Sequence, residues 1–189
     1  MSPEERSEQR IGTVLPEITL APVAAPNGTW RLHEAAAAKQ GALLVFWSSV
    51  CSHCTRYDRY LNTFSDRHPS LALAGIASRQ GESADEVRAA MQARGLTFTM
   101  LHDPGAVVAA QLFTQQTPRV FLVDAESRLV YRGAFDNYKY PEDPEYEAYL
   151  EPAVESLLAG QPVARAETPS FGCAINSVYY TIPRPLKRI

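Results

Sequence analysis

The sequence predicts an α/β fold with a central mixed β-sheet flanked by helices, and three observations lead to this prediction. The apolar run Ala42–Trp47 is typical of a strand that is buried on both faces. Cys51 and Cys54 follow this strand, and apolar residues then recur at the spacing of one helix face: Tyr57, Tyr60, Leu61 and Phe64. Along the rest of the chain, strand-like runs alternate with helical patterns, which favours a layered α/β domain.

The elements before the central strand are predicted to form an N-terminal β-hairpin extension. A short strand lies within Ile11–Leu20, and Asn27-Gly28 is a strong turn signal. Thr29–Leu32 is predicted to return as the second strand of this hairpin. The alanine run Ala35–Ala38 then predicts a single helical turn.

Helices and strands continue to alternate after the cysteines. The cysteine helix is expected to extend to about Arg67. The capping box Ser83–Glu86 opens another helix, and Gly95 ends it. The remaining predicted elements are, in order, a strand at Leu71–Ala77, a strand at Leu96–Leu101, a helix from Asp103-Pro104, an antiparallel hairpin of Val120–Val123 with Leu129–Arg132, and a helix over Tyr149–Leu158 that Pro152 kinks or delays.

The spacing of Cys51 and Cys54 indicates redox chemistry. Residues three apart at the first turn of a helix lie on one face, so their sulfurs can come within bonding distance. Free N–H groups and the helix dipole favour a thiolate at the first of the two positions. We therefore expect Cys51 to be an exposed nucleophile of lowered pKa and Cys54 to be the resolving thiol. The imidazole of His53 is expected to lower the pKa of Cys51 further.

The other residues of the chain argue against zinc binding or haem attachment by the cysteine pair. A four-thiolate zinc site is excluded because the chain has only one further cysteine, Cys173. A mixed site using His33, His68 or His102 lacks ligand spacing, and haem attachment would need a histidine where Thr55 stands. A disulfide that only staples a loop remains an alternative. No metal and no cofactor is expected.

Length and composition bound the class of protein. The 189 residues are enough for one sizeable core, and a net charge of −3 without a basic stripe does not indicate nucleic-acid binding. No apolar stretch approaches the length of a membrane span. The polar segment Met1–Arg10 has no signal-peptide core. The chain is therefore expected in the cytoplasm as it stands, or in the periplasm if a leader or anchor has been removed.

The chain resembles the thioredoxin superfamily, and in particular its redoxin branch of TlpA/ResA-like thiol–disulfide oxidoreductases and AhpC/TSA-like proteins. The resemblance rests on Leu43–Trp47 leading into Cys51-Ser52-His53-Cys54, and on Thr117-Pro118 just before Val120–Asp124. It implies a thioredoxin-like fold in which the Thr117–Pro118 peptide bond is cis and faces the dithiol. Base rates alone would favour a trans bond.

The resemblance also implies a domain organisation. The thioredoxin-like domain is expected over about residues 11–160. A flexible N-terminus (residues 1–10) precedes it, and a C-terminal extension (residues 161–189) follows it. The sequence does not predict an oligomeric state.

The function that the resemblance implies is disulfide exchange with protein thiols and with a redox partner protein. A cis bond would leave the backbone of Thr117, beside Pro118, free to pair with a substrate peptide. Trp47 is expected either to form the rim of the substrate site or to pack in the core. One alternative is a peroxidase in which Ser48 and Arg119 help to hold peroxide. Another is a non-catalytic binding module.

Cys173 lies beyond the last predicted helix. The segment Phe171–Ile175 resembles a Gly-Cys-x-Ile element found in the C-terminal tail of some redoxin-like proteins. Gly172 indicates close approach of this backbone to a surface. The favoured interpretation of Cys173 is a buried thiol that packs as a small hydrophobic residue. The alternatives are a second resolving thiol that reaches Cys51, and a disulfide to another chain.

Overall fold

The computed structural model describes residues 10–175 of the chain, so the expected flexible segment 1–10 lies outside the described residues except for its last member. The strands are β1 (Thr19–Pro22), β2 (Trp30–Arg31), β3 (Gly41–Trp47), β4 (Ala72–Ala77), β5 (Met100–His102), β6 (Gln116–Thr117), β7 (Arg119–Asp124), β8 (Leu129–Gly133) and β9 (Cys173–Ala174). The helices are α1 (Leu32–Ala37), α2 (Ser52–Thr55), α3 (Asp58–Asn62), α4 (Phe64–Arg67), α5 (Ala84–Arg94), α6 (Val107–Gln111) and α7 (Leu150–Leu158), with a 3₁₀ turn at Pro104–Ala106 before α6.

The central sheet has seven strands in the order β2–β1–β5–β4–β3–β7–β8. Strand β3 is parallel to β4 and antiparallel to β7, so the sheet is mixed, as predicted. All seven residues of β3 are buried because one hydrophobic cluster packs on each face of the sheet. This central position explains the continuous apolar run and fixes the point at which the two cysteines follow.

The two predicted hairpins are confirmed, and so is α5, the helix that the capping box opens. Strands β1 and β2 pair antiparallel, and so do β7 and β8. The Ser83 hydroxyl accepts from the Glu86 amide while the Glu86 carboxylate accepts from the Ser83 amide, which completes the capping box of α5. Gly95 ends α5 in the left-handed conformation, at φ of 62°.

The prediction of one continuous cysteine helix to Arg67 is wrong. The segment forms three short helices, α2, α3 and α4, separated at Tyr57 and Thr63. The Tyr57 ring stacks on Phe135 with centroids 4.0 Å apart. The Thr63 hydroxyl donates to the Arg59 carbonyl at 2.9 Å, and this carbonyl also accepts from the Thr63 amide.

The tail segment, which we define as residues 161–175, packs back onto the domain. It first runs beside β8, where the Arg132 amide donates to the Ala166 carbonyl at 2.9 Å. It then reaches β6, which pairs antiparallel with β9 in a separate two-stranded sheet. Within residues 10–175, none of the helices has the length and apolar character needed to cross a membrane.

Candidate active site

The two cysteines of the motif lie where β3 ends and α2 begins. Cys51 is the N-cap of α2 and Cys54 lies within that helix, so the predicted position of Cys51 at a helix start is confirmed. The prediction that Cys51 is exposed is wrong, because Cys51 and Cys54 are each only 1% exposed. Cys173 of the tail segment packs against the same hydrophobic cluster, and its strand pairs with β6.

The two thiols of the motif have opposite acidities. A hydrogen bond donated by Cys54 is the largest influence on Cys51, and with the donors of Cys173 it outweighs burial and lowers the pKa of Cys51 to about 4. Burial, and then the hydrogen bond to Cys51, raise the pKa of Cys54. Burial also raises the pKa of Cys173. At neutral pH the reduced site therefore holds one thiolate between two thiols.

Thr117 and Pro118 face this dithiol. Their peptide bond is cis, and Thr117 is the last residue of β6. The Cys51 Sγ lies 3.1 Å from the Thr117 carbonyl oxygen, to which a protonated Cys51 can donate. The geometry thus brings Cys51, Cys54, Thr117 and Pro118 together, as the sequence resemblance implies.

The edge of β6 is already occupied by the tail segment. In the antiparallel pairing of β6 with β9, Thr117 is opposite Cys173 and Gln116 is opposite Ala174. A Cβ added to Gly172 would lie 1.7 Å from the Thr117 carbonyl oxygen, so only glycine permits this approach. Cys173 packs against the hydrophobic cluster around Cys51, as the favoured interpretation expects, but its side chain is half-buried rather than buried.

Glu82 is a part of the site that sequence reasoning missed. This carboxylate is buried, and its Oε1 accepts from the Ser49 amide at 2.8 Å, from the Ser48 hydroxyl at 3.3 Å and from the Ser49 hydroxyl. These bonds hold the loop that connects β3 to the dithiol. The only local signal was the position of Glu82 next to the capping box of α5, and that pattern does not indicate a contact with residues far away in sequence.

We expect Glu82→Ala to lower the free energy of unfolding by about 1–3 kcal/mol, because it leaves buried donors of the Ser48–Ser49 loop without their acceptor. Urea denaturation of the reduced protein measures the change. Glu126→Ala, in the exposed turn between β7 and β8, is the matched control and should alter stability by less than about 0.5 kcal/mol. Equal stabilities of the two variants would contradict this role of Glu82.

The other candidate residues have different environments. Trp47 has 0% exposure and packs in the core, with the Arg94 guanidinium over its ring. His53 is exposed on α2. Ser48 is buried, and its hydroxyl is directed to Glu82. Arg119 lies over the Phe121 ring, which belongs to the hydrophobic cluster on the sheet face opposite the cysteines.

An open groove of about 330 Å³ lies beside the dithiol. His53 and Pro118 line it on the dithiol side, and the loop of residues 134–139 lines it on the other. Arg56 and Tyr138 both line this groove, and the Arg56 guanidinium lies 3.3 Å from the centre of the Tyr138 ring. Exposed Phe171 of the tail segment completes the lining, so the groove offers aromatic faces together with cationic groups.

Comparison with known proteins gives one family match. The Redoxin family model matches residues 10–150 of the chain. No curated protein matches the sequence.

Solved structures share the fold over most of the chain. A hypothetical protein of Sinorhizobium meliloti 1021 is 28% identical, with a TM-score of 0.77 over 89% of this chain and 95% of its own. An uncharacterized conserved protein of Geobacillus kaustophilus is 22% identical, with a TM-score of 0.78 over 88% and 92% of the two chains. A secreted Mycobacterium tuberculosis disulfide oxidoreductase, described as homologous to E. coli DsbE, is 17% identical, with a TM-score of 0.55 over 75% and 95%. These matches confirm the predicted thioredoxin-like α/β architecture.

Proposed function

Because the chain belongs to the Redoxin family, within the redoxin branch of the thioredoxin superfamily, we propose that it is a thiol–disulfide oxidoreductase that acts on protein cysteines. The observation that carries this proposal is the dithiol at the start of α2, which faces the cis Thr117–Pro118 bond, and the acidities of its two thiols agree with it. The pKa of Cys51 is lowered to about 4, whereas that of Cys54 is raised. Cys51 is therefore a thiolate that can attack a substrate disulfide, whereas Cys54 stays protonated until the resolving step.

The proposed reduction of a substrate disulfide takes two steps. The Cys51 thiolate attacks one substrate sulfur, the substrate S–S bond breaks, and the other substrate sulfur leaves with the electron pair and takes up a proton. Cys54 then loses its proton and attacks the Cys51 Sγ, which releases the second substrate thiol. The substrate has gained two electrons, and the protein holds a Cys51–Cys54 disulfide. The reverse sequence oxidises a substrate dithiol.

Substrate side chains are proposed to bind in the groove beside the dithiol. Its aromatic walls suit an apolar residue next to the reacting cysteine. Arg56, Lys139 and Asp136 at the groove suit a peptide that carries charges of both signs. Backbone pairing with β6 would fix the alignment of the substrate peptide, provided that β9 leaves that edge.

Assays of insulin reduction and of hydrogen peroxide consumption distinguish this function from the alternatives. We expect the protein to catalyse the reduction of insulin by dithiothreitol, Cys51→Ser to abolish this activity, and Cys54→Ser to accumulate a mixed disulfide with the substrate. Glu126→Gln, in an exposed turn at the opposite end of β7 from the dithiol, should retain full activity. Consumption of hydrogen peroxide without insulin reduction would instead support a peroxidase, and inactivity in both assays would support a binding module.

The acidity of Cys51 also predicts the redox poise. A stabilised thiolate favours the reduced form and makes Cys51 a good leaving group, so the disulfide is more oxidising. We expect a reduction potential closer to the value of about −120 mV for DsbA than to the value of about −270 mV for thioredoxin. Equilibration with glutathione buffers measures the potential, and a value at or below thioredoxin's would contradict the prediction.

A further inference from the structure

The pairing of β9 with β6 places the chain's own tail where a substrate strand would bind. A peptide that adds to a sheet edge does so through backbone hydrogen bonds, with side chains at set positions along the strand. Thr117 is the residue of β6 next to the dithiol, and its partner across the pairing is Cys173. A cysteine of the tail segment thus occupies the position that a substrate cysteine would take.

The sequence of the tail segment holds Cys173 in this position from both sides. Before it, the Ser170 hydroxyl lies 3.1 Å from the Gln116 side-chain amide. After it, Ile175 is 1% exposed, its amide donates to the Gln115 carbonyl at 3.0 Å, and its carbonyl accepts from the Gln80 amide at 2.9 Å. These contacts on both sides fix Cys173 opposite Thr117.

The strand register places Cys173 beside Cys51. The Cys51 Sγ lies 3.1 Å from the carbonyl of Thr117, the residue opposite Cys173. Both the thiol and the backbone amide of Cys173 donate toward the Cys51 sulfur. Cys51 therefore has a potential sulfur partner on each side, Cys54 within its own helix and Cys173 on β9.

We propose that Cys173 is a third redox-active cysteine, which forms a disulfide with Cys51 across the β6–β9 pairing. This inference rests on the proposed function, because it requires Cys51 to be the nucleophile. The Cys51–Cys173 bridge is the intramolecular equivalent of a mixed disulfide with substrate. While it is present, β9 stays on β6 and no substrate strand can pair there.

The bridge forms from the oxidised dithiol by exchange alone. Cys173 loses its proton and attacks the Cys51 Sγ, the Cys51–Cys173 bond forms and the Cys51–Cys54 bond breaks. The Cys54 sulfur leaves with the electron pair and takes up the proton, so the number of disulfides is unchanged and no external oxidant is needed. In a chain without Cys54, glutathione disulfide can supply the oxidising equivalents. Cys51 first forms a disulfide with glutathione and releases one glutathione, and Cys173 then displaces the second.

The test compares Cys54→Ser with the double variant Cys54→Ser/Cys173→Ser. Each reduced protein is treated with glutathione disulfide, quenched in acid, labelled with a maleimide under denaturing conditions and weighed by intact mass spectrometry. We expect Cys54→Ser to end with neither glutathione nor maleimide attached, because Cys51 and Cys173 are bridged. The double variant should retain one glutathione on Cys51. Trypsin separates the two cysteines because Arg56 and Arg165 lie between them, so the bridge appears as two joined peptides.

Each contrary result has a distinct meaning. If Cys54→Ser keeps glutathione on Cys51 and maleimide on Cys173, the third-cysteine proposal is overturned while Cys51 remains the nucleophile of the proposed function. If the bridge joins two molecules on a non-reducing gel, the intramolecular proposal is overturned as well. If both variants end with maleimide on every remaining cysteine and with no glutathione, Cys51 has not reacted, and both this proposal and the proposed function fail. In the oxidised wild type, joined peptides that contain Cys51 and Cys173 are expected beside the Cys51–Cys54 form, and their absence would overturn the exchange step.

Discussion

Titration of the reduced protein is expected to show one thiolate that persists to a pH near 4. Cys51 accounts for it, because hydrogen bonds from Cys54 and Cys173 outweigh its burial and lower its pKa to about 4. An isolated cysteine has a pKa of about 8.5. The ultraviolet absorbance of the thiolate measures this midpoint without requiring a reagent to reach a buried sulfur. A midpoint near that of a free thiol would contradict the assignment of Cys51.

The stability of the reduced protein should follow the same titration. The folded pKa of Cys51, about 4, lies below the unfolded value of about 8.5, so the folded state binds fewer protons between these limits. The stabilisation from Cys51 is therefore complete above the unfolded pKa and is lost as pH falls through 4. Cys54 has the opposite dependence, because its raised pKa gives stabilisation that is lost only at alkaline pH. The oxidised protein, which lacks the thiolate, should show a flatter acid dependence of its melting temperature.

Paired variants separate the donors to the thiolate. Cys173→Ala removes a donor, and we expect it to raise the pKa of Cys51, whereas Cys173→Ser keeps a hydroxyl donor and should raise it less. His53→Ala removes an exposed imidazole, and we expect it to raise the pKa of Cys51 less than Cys173→Ala does. The reverse order would support the predicted influence of His53 on the pKa of Cys51.

Gly172→Ala is expected to expose Cys51 by displacing β9. The added methyl group would lie 1.7 Å from the Thr117 carbonyl oxygen, an overlap between backbone and side chain that no rotamer relieves. Overpacking of this kind costs about 1–3 kcal/mol, which corresponds to an increase of about 5- to 150-fold in the population of the open form. The rate of maleimide labelling at Cys51 should rise by a similar factor. Measurements in a Cys54→Ser background leave Cys51 as the only thiol in its tryptic peptide.

The control for this substitution is Ala174→Ser. It also adds one heavy atom to the tail segment, but at an exposed position on β9. We expect its labelling rate to match that of the parent protein. If Gly172→Ala labels no faster than this control, β9 does not govern access to Cys51.

Features that depend on neighbours in sequence were predicted well. The apolar run of β3, the capping box at Ser83 and the end of α5 at Gly95 each depend on residues within a few positions, so their patterns are visible in one chain. The position of Cys51 at a helix start follows from the same kind of local order. The interruptions at Tyr57 and Thr63 were missed in part because the Tyr57 ring stacks on a residue of a distant loop, and the pattern of the helix itself does not show that loop.

The parts of the site that were missed depend on long-range pairing. Glu82 reaches the Ser48–Ser49 loop from 33 residues away, and a lone glutamate carries no sign of such a contact. The position of Cys173 opposite Thr117 depends on the β6–β9 register, and no periodicity in the tail segment predicts that register. Gly172 indicated a close approach, but it did not indicate that the surface approached would be Thr117.

The path of the tail segment also affects how the molecule meets other copies of itself. Sheet edges with unpaired N–H and C=O groups are sites for strand addition and aggregation. The tail segment covers part of the β8 edge at Glu167, and it covers β6 through β9. A chain shortened before this segment would therefore expose the edges of β6 and β8 as well as the Cys51 sulfur. Self-association through these edges would then mask any change in the reactivity of Cys51. Single substitutions at Gly172 and Cys173 separate these effects, whereas truncation combines them.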